Sequence, residues 1–216
     1  MKIEGRTFIV SGGASGLGQA CVEDICRRGG YAAILDMNEE NANEVVSQIG
    51  GDKTKFFQCN VLETESIAAA VKGCLAWVKE TGKEVGGVIA AAGIGAPAKI
   101  LDRNLEPFSL SDFEFVMNVN VRGTIDLIRQ VLPHMAQTKL VGEDGERGII
   151  IMVSSSAAFD GQPGQARASL TRVMEFPLRP GRAPEFAQLV TQSIENVMLN
   201  GVVLRLDGGM RMPSKM

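Results

Sequence analysis

The chain has 216 residues, 45% of them hydrophobic, enough to bury a core of ordinary size, which excludes disorder as the main state. Its 22 Lys and Arg against 25 Asp and Glu give a net charge of −3 with no basic run, so nucleic acid is not an expected partner. No apolar stretch approaches the roughly 18 residues that cross a bilayer, and residues 1–5 run directly into a strand-like segment, so the expectation is a soluble, intracellular protein without a membrane partner.

In chain order, residues 7–10 (TFIV) form a short β-branched and aromatic run closed by Ser11-Gly12-Gly13, the pattern of a buried parallel strand. Leu17, Ala20, Cys21 and Ile25 then recur at helical spacing, and Gly29-Gly30 supplies a helix stop. Residues 31–35 (YAAIL) read as a second strand ending at Asp36, completing a βαβ unit. Residues 55–61 read as a strand, Ile67, Val71, Leu75 and Val78 as a helix face, and residues 87–93 as a glycine-bounded strand. A long helix is predicted to start at a capping box of Ser111 and Glu114 and to run to about Met135, with Pro133 near its end. Residues 148–153 give the most continuous strand signal, with Ser154-Ser155-Ser156 at its carboxyl end, where ligands of parallel sheets bind. Pro184 fits a helix first turn, followed by an apolar stripe of Phe186, Leu189, Val190 and Ile194, and residues 201–206 (GVVLRL) read as a last strand. Such alternation predicts an open parallel α/β sheet covered on both faces, in a single domain. Cys21, Cys26, Cys59 and Cys74 lack metal-ligand spacing and are expected as buried thiols, and no metal site is predicted.

The turn Ser11-Gly12-Gly13-Ala14-Ser15-Gly16-Leu17-Gly18 spaces its glycines as G-x-x-x-G-x-G between strand and helix. Gly12 permits a tight turn, Gly16 lets backbone approach a diphosphate, and Gly18 lets the helix pack closely, while the helix start offers N–H donors. A glycine pattern alone also serves an ordinary turn, but a strand before it and a helix after it favour a phosphate cradle. Asp36 lies 18 residues after Gly18, near the offset at which an acid accepts the adenosine ribose hydroxyls, although a strand-end turn also uses aspartate. An acid there with no cation beside it, Arg27 and Arg28 being at the far end of the helix, points to NAD rather than NADP.

These residues, with 119–124 (VNVRGT) and 206–209 (LDGG), resemble the short-chain dehydrogenase/reductase family over nearly the whole chain. Residues 153–166 and 176–212 resemble that family's branch of type-2 3-hydroxyacyl-CoA dehydrogenases. The resemblance implies a doubly wound, Rossmann-type parallel sheet and an NAD-dependent oxidoreductase acting on a small-molecule substrate, the secondary alcohol of a 3-hydroxyacyl-CoA or a hydroxysteroid. It further implies a homo-oligomer, cytoplasmic or in the mitochondrial matrix. By motif position Ser155 would hydrogen-bond the substrate oxygen and Asn120 would support a proton relay. Ser11, Gly12, Ser15, Gly16, Leu17, Gly18, Asp36, Asn60, Val61, Ala92 and Gly93 would hold the cofactor. Asn60 stands where the family usually has an adenine-contacting aspartate, and Ala92 lies within Ala91-Ala92-Gly93 in place of Asn-Ala-Gly.

One departure is large. The family's proton-abstracting tyrosine and the lysine four residues after it are absent: the only Tyr is Tyr31, in the second strand, and residues 167–172 (RASLTR) hold neither. The likeness resumes at residues 175–177 (EFP) with a part of the family that lies much later. A helix, the sixth strand and a substrate loop are therefore expected to be missing, a span on the order of one βαβ connection. No remaining group substitutes: Ser155 lacks an adjacent base, Arg172 stays protonated, and His134 falls at a solvated helix end. The expectation is impaired catalysis, or alternatively a non-catalytic dinucleotide-binding module arising from a splice or gene-model deletion. The long helix and the fifth strand should each lose a neighbour, and the last strand would re-pair that edge if it slid beside residues 149–153.

Overall fold

A computed structural model of the chain describes residues 2–96, 102–140, 145–155 and 181–206. Five strands form one parallel sheet: β1 (Thr7–Ser11), β2 (Tyr31–Asp36), β3 (Thr54–Gln58), β4 (Val85–Ala90) and β5 (Ile149–Met152). Their order in space is β3-β2-β1-β4-β5, so the chain winds outward from β1 in one direction and then, through β4, in the other. Ser11 pairs with Leu35 and Ala90, which brings the carboxyl ends of β1, β2 and β4 level at this reversal of strand order, the usual position of a ligand crevice.

β1 and β4 are buried along their whole length, which explains why they read as unbroken apolar runs rather than alternating ones. Successive side chains of a strand point to opposite faces. On one face Phe8, Val10, Ile34 and Ile89 pack with α1 (Gly16–Arg27), α2 (Glu39–Ile49) and α6 (Ala183–Glu195). On the other, Ile9, Ala33, Leu35 and Val88 meet α3 (Thr64–Thr81) and α5 (Thr124–Met135). Each fully buried Ile or Phe contributes roughly 1.5–3 kcal/mol of transfer free energy.

Helix α6 lies against α1 through a buried polar clamp. Asp24, 4% exposed, accepts 2.7 Å and 3.0 Å hydrogen bonds from Thr191 Oγ1 and Arg28 Nε and pairs with Arg27. Arg28 also reaches Glu195 at 2.9 Å. Pro184 occupies the first turn of α6, as its sequence predicts.

Three expectations are corrected. The long helix is capped by Ser109, whose side chain accepts from Asp112 N, and begins as α4 (Leu110–Met117), with Ser111 inside its first turn. It is not uniform: a π-helical turn over Asn118–Gly123 separates α4 from α5, and Pro133 lies within α5, which continues two residues beyond it to Met135. Residues 201–206 form no strand and leave Val202, Val203, Leu204 and Leu206 exposed. Accordingly they do not re-pair the sheet, and among the described residues β5 is bonded only to β4. A strand needs a neighbouring edge to satisfy its ladder, and the β pattern of GVVLRL cannot supply one. Helix α2 has no counterpart among the elements expected from the sequence.

Candidate functional site

The glycine turn at the top of β1 is fixed by close backbone approach. Gly12 has φ +68°, a conformation that favours glycine, and a Cβ there would lie 2.9 Å from Ala92 Cα. A Cβ at Gly18 would overlap the Gly12 carbonyl, so its absence lets the start of α1 sit directly on the loop. Gly16, at φ +55°, has nothing within 4 Å of the corresponding position. The result is a closely packed backbone turn with open space over Gly16.

Ser15 is the N-cap of α1, but its side chain makes no capping bond and the first turn of α1 carries no acid. The first turns of α2, α3, α4, α5 and α6 all carry an Asp or Glu, the side chains that ordinarily offset a helix's positive end. At α1 neither the cap nor the first turn supplies such a group, and an exposed helix start of this kind can take a phosphate. Ser15, Gly16 and Leu17 are exposed at this mouth and Gly18 is buried beneath it.

Asp36 ends β2 beside this cradle. Its Oδ2 accepts from Ala14 N at 3.1 Å and its Oδ1 from Asn38 N at 3.0 Å, so the carboxylate is aimed along the glycine loop. The Ala14 amide has no sequence signature, and only the fold reveals its part. Beyond Asp36, Cys59 N donates to Asp36 O at 2.9 Å, placing Asn60 and Val61 next in line at the end of β3. The Asn60 side chain closes its own turn: Oδ1 accepts from Leu62 N at 3.1 Å and Nδ2 donates to Glu63 at 2.8 Å.

On the opposite side of the crevice, Ser11 Oγ accepts from Ala92 N at 3.2 Å and ties the glycine loop to the end of β4. Gly93 follows; a Cβ there would stand 3.3 Å from Asn120 Oδ1. Asn120 lies in the π turn and clasps the backbone of Ile94 with both ends of its amide, each at 2.8 Å. Ile94 is a second partner that sequence reasoning missed. Ser155 is exposed three residues beyond β5, at the same carboxyl edge of the sheet.

Residues 156–180 and 207–216, which include Arg172 and the LDGG glycines, lie outside the described residues. Tyr31 opens β2, opposite Thr7, at the amino end of the sheet. The six residues of β2 separate it from the crevice by roughly 17 Å, and its ring sits against Trp77 instead. His134 is exposed near the end of α5. All four cysteines are buried and free; burial pushes the thiols of Cys21 and Cys26 up to about 12 and that of Cys59 to about 11, so none is a ready nucleophile. No cluster of metal-binding side chains occurs among the described residues, and no helix among them is long and apolar enough to cross a membrane.

A doubly wound parallel sheet with a glycine turn between β1 and α1 and an acid at the next strand end defines a Rossmann-type fold. The sequence model of the short chain dehydrogenase family matches residues 6–169, and the chain belongs to that family. It is 30% identical to 3-hydroxyacyl-CoA dehydrogenase type-2 of Drosophila melanogaster, covering 97% of this chain and 99% of that protein. It is 31% identical to the protein of that name from Bos taurus, over 98% of this chain and 97% of the relative. The crystal structure of 3-hydroxyacyl-CoA dehydrogenase type-2 from Mycobacterium avium superimposes with a TM-score of 0.87 at 25% identity, covering all of both chains. By lineage the chain is an oxidoreductase. The Drosophila alignment runs over 262 positions although this chain has 216 residues, so a sizeable stretch of the relative has no counterpart here.

Proposed function

We propose that the chain binds NAD in the crevice at the carboxyl ends of β1, β2 and β4, and that its turnover of secondary alcohols is impaired. The backbone of residues 12–18 would hold the diphosphate, with Ser11 and Ser15 beside it. Asp36 would take the adenosine ribose, Asn60 and Val61 the adenine, and Ala92 and Gly93 the nicotinamide-side ribose. The observation that carries this reading is the start of α1, which has no acid in its first turn and no side-chain cap, with open space over Gly16 and with Asp36 bonded to the same loop. Asp36 favours NAD over NADP, because a 2′-phosphate would meet a carboxylate with no nearby cation.

In the lineage's chemistry the coenzyme accepts a hydride from a secondary alcohol carbon, and the printed names of the relatives point to a 3-hydroxyacyl-CoA; a hydroxysteroid is the other substrate class considered. This chain's contribution to such a reaction is limited to positioning. Ser155 would hydrogen-bond the substrate oxygen. Asn120 has both ends of its amide engaged by Ile94 and would hold that loop. No phenol reaches the crevice to take the hydroxyl proton, since Tyr31 opens β2 at the other end of the sheet. The second reading, a dinucleotide-binding module without catalysis, rests on that same observation. Association with copies of itself or with a longer relative fits the exposed apolar residues Phe113, Met117, Val121 and Ile125 along α4, the π turn and α5.

Two measurements test the proposal. NADH fluorescence should rise saturably on titration with the protein, and a flat response would remove the coenzyme site. NADH production from a 3-hydroxyacyl-CoA should not exceed that of a Ser155→Ala control; turnover well above it would overturn the impaired reading.

A further inference from the structure

We infer that Arg122 is a positioning residue for the adenine half of the coenzyme, an inference that rests on the dinucleotide reading above. Arg122 belongs to the π turn, yet its guanidinium leaves the helix and holds the loop after β3. Nη1 donates to Leu62 O at 2.9 Å and Nη2 to Thr64 Oγ1 at 3.0 Å. Leu62 directly follows Val61, and Asn60 and Val61 are the residues in line with Asp36 at the edge of the crevice. From below, the same turn supports this loop through Gly123, where a Cβ would come 2.8 Å from Val61 O. The loop after β3 thus rests on Gly123 and is tied by Arg122.

The tie is part of a larger network. Thr64 Oγ1 donates to Asp126 Oδ2 at 2.7 Å, and Gln130 Nε2 donates to Asp126 Oδ1 at 3.0 Å. Arg129 also pairs with Asp126, at 2.7 Å, but it makes no bond to the loop backbone. Of the two arginines, about two helical turns apart, only Arg122 bonds the loop's main chain among the described residues, which makes Arg129 a built-in control. A base lying over residues 60–61 would depend on how that backbone is held. The fixed fork of a guanidinium can hold a carbonyl and a hydroxyl together, which an ammonium does less well.

The test uses the full chain and three variants, R122Q, R122K and R129Q, with NADH affinity read by fluorescence and ADP-ribose affinity by calorimetry, both well below the thermal midpoint. The expected result is a loss of about three- to tenfold in R122Q for both ligands, the range for an exposed charged hydrogen bond. R122K should recover part of it, R129Q should bind as the parent does, and Tm should move little in all three. Unchanged affinity in R122Q would overturn the inference, as would a loss confined to NADH with ADP-ribose unaffected, or an equal loss in R129Q. Failure of the parent chain to bind either ligand would instead bring down the dinucleotide reading itself, and this inference with it.

Discussion

Gly12, Gly16 and Gly18 act differently within one turn. Gly12 supplies a positive φ and lets Ala92 approach, Gly18 lets α1 begin on top of the loop, and Gly16 leaves room over the cradle. Of these, Gly18 has the least tolerance, because the atom facing it is a backbone carbonyl that cannot rotate away. Gly18→Ala should destabilise the fold by about 1–3 kcal/mol, as overpacking does, and abolish saturable NADH fluorescence; thermal melts and titration check both. Asp36→Ala removes the acceptor for Ala14 N and the charge that opposes a 2′-phosphate. NADH affinity should fall about tenfold, the scale of a charged hydrogen bond, and the preference over NADPH should vanish in parallel titrations. The close packing at Gly18 and the place of Asp36 at the end of β2 were legible in the sequence because both follow from spacing. Ala14 and Ile94 were not, since they act through backbone groups that every residue carries.

At the scale of elements, two junctions hold the layers and each has a distinct signature. Thr191 and Asp24 join α6 to α1 by a buried 2.7 Å bond. Thr191→Val should leave the carboxylate short of a partner and cost about 1–3 kcal/mol, seen as a Tm lower by several degrees with NADH affinity unchanged. Asp126 joins α5 to the start of α3. Burial raises its pKa, but hydrogen bonds from Gln130 and Thr64 and the charge of Arg129 outweigh this and hold it below the ordinary aspartate value. A depressed folded-state pKa gives stability that is complete above the unfolded value, about 3.9, and lost as pH falls through the lower folded one. The acid limb of a stability-against-pH curve should therefore be shallower in Asp126→Asn than in the parent below about pH 4. Helix α2 was present in the sequence: Asn38 caps it, Glu39 and Glu40 fill its first turn, and Ala42, Val45 and Ile49 recur on one side. The π turn was not, because a one-residue insertion keeps the helical spacing on either side and shows only as a shift in phase, about 100°. The cap at Ser109 rather than Ser111 was likewise undecidable from two serines two positions apart.

Across the whole molecule, the parallel sheet read from alternating runs is realised in order β3-β2-β1-β4-β5, and the crevice falls where the order reverses. What local pattern did not decide is the far edge. Residues 201–206 have the composition of a strand, but a strand is a pairing and its partner lies elsewhere in the chain. Ile150 and Met152 of β5 are 36% and 63% exposed, and an apolar parallel strand with one described neighbour is an aggregation hazard. Met152→Lys should raise the soluble fraction at high concentration, as charged edge residues do in natural sheets, while changing stability by less than about 0.5 kcal/mol, the range for exposed sites; light scattering and thermal melts read the two effects. The proposed molecule keeps a coenzyme site without the group that takes the substrate proton. This pairing is tested most directly by titrating the purified chain with NADH and, in the same preparation, assaying NADH formation from NAD and a 3-hydroxyacyl-CoA. Saturable binding at one site per chain with turnover no greater than that of Ser155→Ala is the predicted result; absence of binding, or turnover well above that control, would contradict it.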